Sequence, residues 1–197
     1  MRCLYCHKES KKISFKSALL KSDELCINCR KKLVVERKMV SIEEIEVETF
    51  YEYDSFFKDL LIQYKECNDE ALKRVFLYDI SDYLNIRYFN YQVLFVPSSD
   101  KAIRQRGFNH LEGMFEELKL KRVKGLSMKR QLSQKGQNKT NRLAMIDNYV
   151  YKGEDIDRLL IVDDVLTTGS SILGVYRTMK NSSKKIKIVV LASQKRD

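Results

Sequence analysis

The stretch Leu159-Leu160-Ile161-Val162-Asp163-Asp164-Val165-Leu166-Thr167-Thr168-Gly169-Ser170-Ser171 constrains the fold of this chain more than any other. Its four leading apolar residues, bounded by polar ones, fit a strand buried on both faces, the kind found in parallel sheets. Two adjacent acids stand at the carboxyl end of that strand. Thr167, Thr168 and Ser170 around Gly169 make a short hydroxyl-rich turn, and apolar residues at helical spacing run from Ile172 to Met179. A strand, a small-residue turn and a helix start present backbone N–H groups and a positive dipole end to a phosphate. Gly169 suits such a turn, because a Cβ would hold the backbone away from the ligand. Asp163 and Asp164 would repel a phosphate, but they can accept hydrogen bonds from sugar hydroxyls or hold a magnesium ion. Acids followed by hydroxyls and glycine read as a ribose-phosphate cradle. The plainer alternative is a buried strand with a capped helix behind it, Asp164 or Thr168 doing the capping.

The same string resembles the 13-residue phosphoribosyl diphosphate (PRPP) motif of type I phosphoribosyltransferases, an apolar strand, two acids and then Thr-Thr-Gly-Ser/Thr. The resemblance implies that Asp163 and Asp164 are the catalytic pair, facing the ribose hydroxyls. It also implies that Val165, Leu166, Thr167, Thr168, Gly169 and Ser170 wrap the 5′-phosphate.

A chain of 197 residues suits one ordinary domain plus a small module. With 44% apolar and 32% charged residues it is globular rather than disordered. No apolar run approaches a membrane span, and the first residues have no signal-peptide core. The expected compartment is the cytoplasm, with attachment to the inner face of the membrane only through partners. A net charge of +10 makes nucleic acid or an anionic surface a plausible partner.

Four of the five cysteines form two C-x2-C pairs, Cys3/Cys6 and Cys26/Cys29. Two residues between thiolates let one tight turn aim both sulfurs at a tetrahedral ion, and the distance between the pairs is close to that of four-cysteine zinc sites. A segment this short has no hydrophobic core, so structural Zn2+ would supply its folding free energy. Two disulfides are the rival reading, disfavoured in a reducing compartment. His7, beside Cys6, is a weaker candidate ligand. Cys67 has no partner at ligand spacing and reads as a buried or half-buried thiol.

Residues 30 to 50 read as a mixed-charge linker or early strand without chemistry. Asp54 or Ser55 can cap a helix bearing Phe56, Phe57, Leu60, Leu61 and Tyr64. Asn68 or Asp69 can cap a second with Ala71, Leu72, Val75, Phe76 and Ile80 facing inward. Lys65, at the end of the first, reads as dipole compensation. A second buried strand, Val93 to Val96, ends in Pro97, Ser98 and Ser99, and a loop with Lys101, Arg104 and Arg106 runs into Gly107-Phe108-Asn109-His110. Proline stops the ladder, the serines supply donors, and the cations can neutralise a diphosphate.

A proline-bearing loop followed by Arg-Gly-Phe-Asn, two C-x2-C pairs and Asp-Asp-x-x-Thr-Thr-Gly together resemble the ComF family of competence proteins. In that family a four-cysteine module precedes a phosphoribosyltransferase domain. Tyr64-Lys65 falls where the family has a Tyr-Lys pair, and Gln134 to Arg142 fits its Gln-to-Arg segment. The resemblance implies a zinc module over residues 1–40 and a phosphoribosyltransferase-like domain over 41–197. It implies PRPP, or another ribose phosphate, with Mg2+ at Pro97, Ser98, Ser99, Lys65 and Arg106. It further implies a role in DNA uptake with single-stranded DNA, a competence helicase (ComFA-like) and other uptake proteins. The chain departs from the pattern at Met145, where asparagine is usual, at Ser98-Ser99, where the loop ending is more apolar, and at His110, where glutamine is frequent. His110 by itself reads as a helix N-terminal residue without chemistry.

Leu111 to Leu120 fits a helix with Leu111, Met114, Phe115 and Leu118 inward. Residues 121 to 142 are rich in Lys and Arg. They read as a flexible loop closing over a reaction or as a phosphate-tracking patch, with Lys129, Arg130, Lys135 and Arg142 as DNA-binding candidates. A solvated loop is the bland alternative. Lys184, Lys185 and Lys187 form a second basic cluster. Met145 to Tyr151 and Lys185 to Ala192 fit further strands. Strands alternating with helices from about residue 50 specify an α/β layer fold with a mainly parallel sheet, whose ligands collect at strand carboxyl ends. Two functions compete: a DNA-handling competence factor with a PRPP-binding domain, and a magnesium-dependent phosphoribosyltransferase with an unknown acceptor.

Overall fold

The computed structural model describes residues 2–9, 23–128 and 148–194. In chain order the first elements are α1 (Ile27–Arg30), β1 (Lys38–Ile42), β2 (Ile45–Glu52) and α2 (Ser55–Lys65). A 3-10 turn (Glu70–Arg74), α3 (Ser81–Arg87), β3 (Gln92–Phe95), α4 (Asp100–Arg106), α5 (His110–Met114) and β4 (Lys121–Arg122) follow. After β5 (Leu126–Met128) and β6 (Tyr149–Tyr151) come β7 (Ile156–Leu166), α6 (Ser170–Met179) and β8 (Ser183–Ser193).

Six strands form one sheet in the order β1-β2-β8-β7-β3-β4, and β5 and β6 form a small antiparallel ladder. Every neighbouring pair in the larger sheet is parallel except the β1/β2 hairpin at its edge. This is the expected α/β class. β7 and β8 share the longest ladder, Ile156 opposite Ser183 through Leu166 opposite Ser193. Leu159 to Val162 and Val189 to Ala192 are shut off from solvent, as their unbroken apolar runs require.

Asp54 caps α2 by accepting a hydrogen bond from the Phe57 amide (2.8 Å), and Phe56, Phe57, Leu60, Leu61 and Tyr64 are all buried. Elsewhere the expected elements are broken. The helix expected after Asn68 divides into the 3-10 turn, a run of turns and α3. Amides there reach back three residues, Leu72 to Asp69 and Val75 to Leu72, which tightens the winding. The Asp69 carboxylate does not cap it but accepts from Gln63 (3.0 Å). Leu72, Val75, Phe76 and Ile80 still face inward, whereas Ala71 is exposed. The helix expected over 111–120 stops at Met114, yet Leu111, Met114, Phe115 and Leu118 are buried, because turn-by-turn winding keeps them on the same side. The strand expected from Met145 is seen as Tyr149–Tyr151, the earlier part lying outside the described residues. Cys67 is exposed rather than buried, just past the end of α2.

The 30–50 segment is structured and carries a buried charge. Glu48 on β2 is 2% exposed; it accepts hydrogen bonds from Tyr83 (2.8 Å) and Tyr88 and pairs with Arg37. A buried carboxylate needs such partners, and these fasten the approach to β1 and α3 to the sheet.

Candidate functional site

β3 and β7 lie side by side, Phe95 opposite Val162, and the Val96 amide extends the ladder to the Val162 carbonyl (3.1 Å). From β3 the chain leaves through α4 and α5 towards β4 on one side; from β7 it leaves through α6 to β8 on the other. Such a switch point opens a crevice beyond the carboxyl ends of the strands, where ligands of α/β sheets bind. Pro97 and Asp163 therefore meet at one crevice.

Four elements converge there through side-chain contacts. Lys65, the last residue of α2, forms an ion pair with Asp164. His110, the first residue of α5, lies with Nε2 2.7 Å from Asp164 Oδ2. Arg106, the last residue of α4, reaches His110 Nδ1 (3.1 Å), and Ser98 Oγ lies 3.5 Å from the same nitrogen. Tyr64 anchors the assembly by donating to the His110 carbonyl (2.9 Å). Lys65 and His110 both engage Oδ2 of Asp164.

The two acids are thereby made unequal. Burial works against ionisation of Asp164, but the His110 hydrogen bond and the Lys65 charge hold its carboxyl below the usual range. Burial and the negative charge of Asp164 push the Asp163 carboxyl well up. Burial lowers the imidazole of His110, against the pull of Asp164.

After the acids, the turn has the expected hydroxyl cluster. Thr168 Oγ1 is 3.0 Å from Ser170 Oγ and accepts from the Ser170 amide (3.4 Å). Gly169 is required for a reason other than ligand approach alone: its φ is +77°, and a Cβ would stand 2.7 Å from Ile42 Cδ1 at the end of β1. Thr167 and Thr168 are exposed, Val165 and Ser170 half-buried, and Leu166 packs into the core, so only its backbone can meet a ligand. Ser99 spends its hydroxyl as the cap of α4, accepting from the Ala102 amide (3.2 Å).

The resemblance pointed to Lys65 and Arg106, though not to their partners. Lys65 is an ion-pair partner of an acid rather than mere dipole compensation. His110 is the residue that sequence reasoning missed, buried and bonded where a chemically idle helix start was expected. The pattern holds little signal for it beyond a histidine four residues after an arginine. Lys129, Arg130, Lys135 and Arg142 lie outside the described residues.

At the other end, the sulfurs of Cys3, Cys6, Cys26 and Cys29 all lie within 4.8 Å of one another, and Cys6 and Cys26 are 3.7 Å apart. Zinc–thiolate bonds of about 2.3 Å imply sulfur separations near 3.8 Å on a tetrahedron, so this donor set could hold a metal such as zinc. His7 is not in the cluster. Burial raises the Cys29 thiol; Cys3 is also buried, but hydrogen bonds from the Cys6, Cys26 and Tyr5 backbones bring it down to about 7. The module rests on the sheet domain. The Tyr5 ring packs edge-on against Phe56 (4.6 Å), Gln63 donates to the Leu4 carbonyl (3.0 Å), and Arg30 donates to the Val75 carbonyl (3.0 Å).

No family model matches the chain. It is 28% identical over 137 residues to "Competence protein ComFC" of Streptococcus pneumoniae (strain ATCC BAA-255 / R6). The expected likeness to the ComF proteins is borne out. The match takes in 68% of this chain and 62% of the relative, so the chain spans less than two thirds of that protein's length. Among solved structures, it is similar to a hypoxanthine phosphoribosyltransferase from Staphylococcus aureus (14% identity, 65% of this chain, 68% of that one, TM-score 0.40). It is also similar to the adenine phosphoribosyltransferase from Leishmania tarentolae (11% identity, 79% of this chain, 94% of that one, TM-score 0.36). Among the described residues, no helix is long and apolar enough to cross a membrane.

Proposed function

We propose that this protein is a competence factor that handles incoming single-stranded DNA and binds PRPP, with Mg2+, at the carboxyl edge of its sheet. The observation that carries the ligand assignment is the convergence of Asp163/Asp164, the Thr167–Ser170 turn and the Pro97 loop on one switch-point crevice. In this reading the acids accept from the ribose hydroxyls, the turn and the start of α6 take the 5′-phosphate, and Arg106 and Lys65 offer positive charge to the diphosphate. Magnesium would arrive on the diphosphate and neutralise part of its charge. The four cysteines would hold structural zinc, a closed site without an open coordination position.

The DNA half of the proposal rests on the similarity to a competence protein and on charge. Arg158 and Lys185 are partners across the β7/β8 ladder, and Lys187 follows on the same side of β8. Like charges directly opposite are unfavourable unless an anion lies over them. Single-stranded DNA, presented by a competence helicase (ComFA-like) and other uptake proteins, fits that need. With Lys129, Arg130, Lys135 and Arg142, these residues would make several phosphate contacts. A second reading is a working phosphoribosyltransferase. In that reading a cavity of about 500 Å³ between β1 and the carboxyl ends of β2 and β8, lined in part by Ser41, Tyr51, Glu52 and Ser193, would be the space for an acceptor.

Binding of short single-stranded DNA and of PRPP with magnesium, measured side by side, tests both halves. DNA affinity is expected to fall roughly ten-fold or more from low to physiological salt. Lys129→Glu with Arg130→Glu is expected to weaken DNA binding more than PRPP binding. DNA binding that is absent at every salt concentration would remove the DNA half and favour the transferase.

A further inference from the structure

We infer that His110 is a positioning residue that joins the ribose acid Asp164 to the diphosphate cation Arg106, fixing both at once. The inference rests on the ribose-phosphate reading of the crevice. Its basis is the direction of the hydrogen bonds. A guanidinium only donates, so His110 Nδ1 must accept from Arg106 across 3.1 Å. The ring proton of the neutral imidazole then sits on Nε2, where it donates to Asp164 Oδ2 across 2.7 Å. His110 is 5% exposed and its backbone carbonyl is held by Tyr64, so the ring has little room to turn. One buried side chain thus receives at one nitrogen and gives at the other.

Consequences follow for each neighbour. His110 and Lys65 both hold Oδ2 of Asp164, which fixes the plane in which the carboxylate meets a sugar hydroxyl. Among the described residues, Arg106 has Glu66, at 3.9 Å, as its one ion-pair partner. Without His110 the guanidinium would lose its nearest acceptor, the one that turns it towards the crevice. Glutamine carries an acceptor and a donor on one terminal amide and can replace both bonds in part. Alanine can replace neither.

The test uses the full chain. Nitrogen-15 shifts of its two histidines, assigned by comparison with His110→Gln, are expected to show an Nε2–H imidazole at His110 without ligand. An Nδ1–H imidazole would overturn the bridge. PRPP with magnesium is then titrated into wild type, His110→Ala, His110→Gln and Arg106→Ala, and into the His110→Ala/Arg106→Ala double variant, well below each melting temperature. His110→Ala is expected to weaken binding about ten-fold, the loss of a buried hydrogen bond to charged groups, and His110→Gln to recover most of it. If His110 acts through Arg106, adding Arg106→Ala to His110→Ala costs much less than Arg106→Ala alone. Fully additive losses, or His110→Ala binding PRPP as wild type does, would overturn the role of His110 and leave the cradle standing. Absence of PRPP binding by wild type would overturn the cradle and the role together.

Discussion

The cysteine cluster and the acid crevice answer one physical problem in two ways. Each gathers groups that become anionic into a space where their charges oppose one another. The module's four sulfurs lie within 4.8 Å of one another, a donor set whose charge a bound metal such as zinc could compensate. In the crevice, Asp164 is compensated from within the chain, by Lys65 and His110, while Asp163 next to it forms no ion pair among the described residues. The first arrangement would draw its compensation from outside the chain. The second is set by folding itself and leaves a pair of acids with opposite proton affinities ready for a ligand.

Removing a sulfur should expose this difference most strongly. Cys26→Ser is expected to abolish stoichiometric metal and release residues 2–9 and 23–33 to rapid hydrogen exchange, while β7 and β8 keep their protection. Structural zinc contributes on the order of 10 kcal/mol of binding free energy to small modules, and the sheet has its own core. Elemental analysis of unchelated wild-type protein without zinc would break the comparison at this end.

Next in size is the loss of an internal cation. Lys65→Met leaves Asp164 buried with His110 alone and is expected to cost about 3–5 kcal/mol in denaturant unfolding. The Lys65→Met/Asp164→Asn double variant should recover much of that, since the stranded charge is gone. Equal losses in both would mean that Lys65 contributes by packing alone.

These two sites were unequally legible in the sequence. Cys3/Cys6 and Cys26/Cys29 are close in sequence within each pair, so spacing alone revealed them. The β7 run and the Thr167–Ser170 turn are likewise local, and periodicity located them. Partners of Asp164 come from the ends of α2 and α5, remote in the chain, and only the strand order brings them together. His110 therefore read as an idle helix start. Glu48 read as part of a linker or early strand without chemistry, because its burial depends on Tyr83 of α3 and on Tyr88 just past its end. The 68–80 helix failed for a different reason: its apolar spacing is served equally well by tight turns. Side-chain burial there was legible, and winding was not.

A smaller effect separates the two acids by pH. The depressed carboxyl of Asp164 contributes stability that is present above the unfolded value of about 3.9 and is lost as pH falls through about 2. The raised carboxyl of Asp163 does the reverse: its contribution is full below about 3.9 and is lost as pH rises towards about 8. Asp163→Asn should therefore stabilise the ligand-free protein at neutral pH, and Asp164→Asn should flatten the acid limb of the stability curve. Melting temperatures between pH 3 and 8 that move in the same direction for both variants would contradict the asymmetry.

The central claim, that the crevice holds a ribose phosphate, is tested most directly by the melting temperature with and without PRPP and magnesium. A ligand that binds only the native state, at about 100 times its Kd, stabilises by about 2.7 kcal/mol, so wild type should melt several degrees higher. Asp163→Asn with Asp164→Asn should melt near wild type without ligand, because the two single effects oppose each other, and should show no rise with it. An equal rise in the double variant would contradict the account, since the acids would then not be on the ribose.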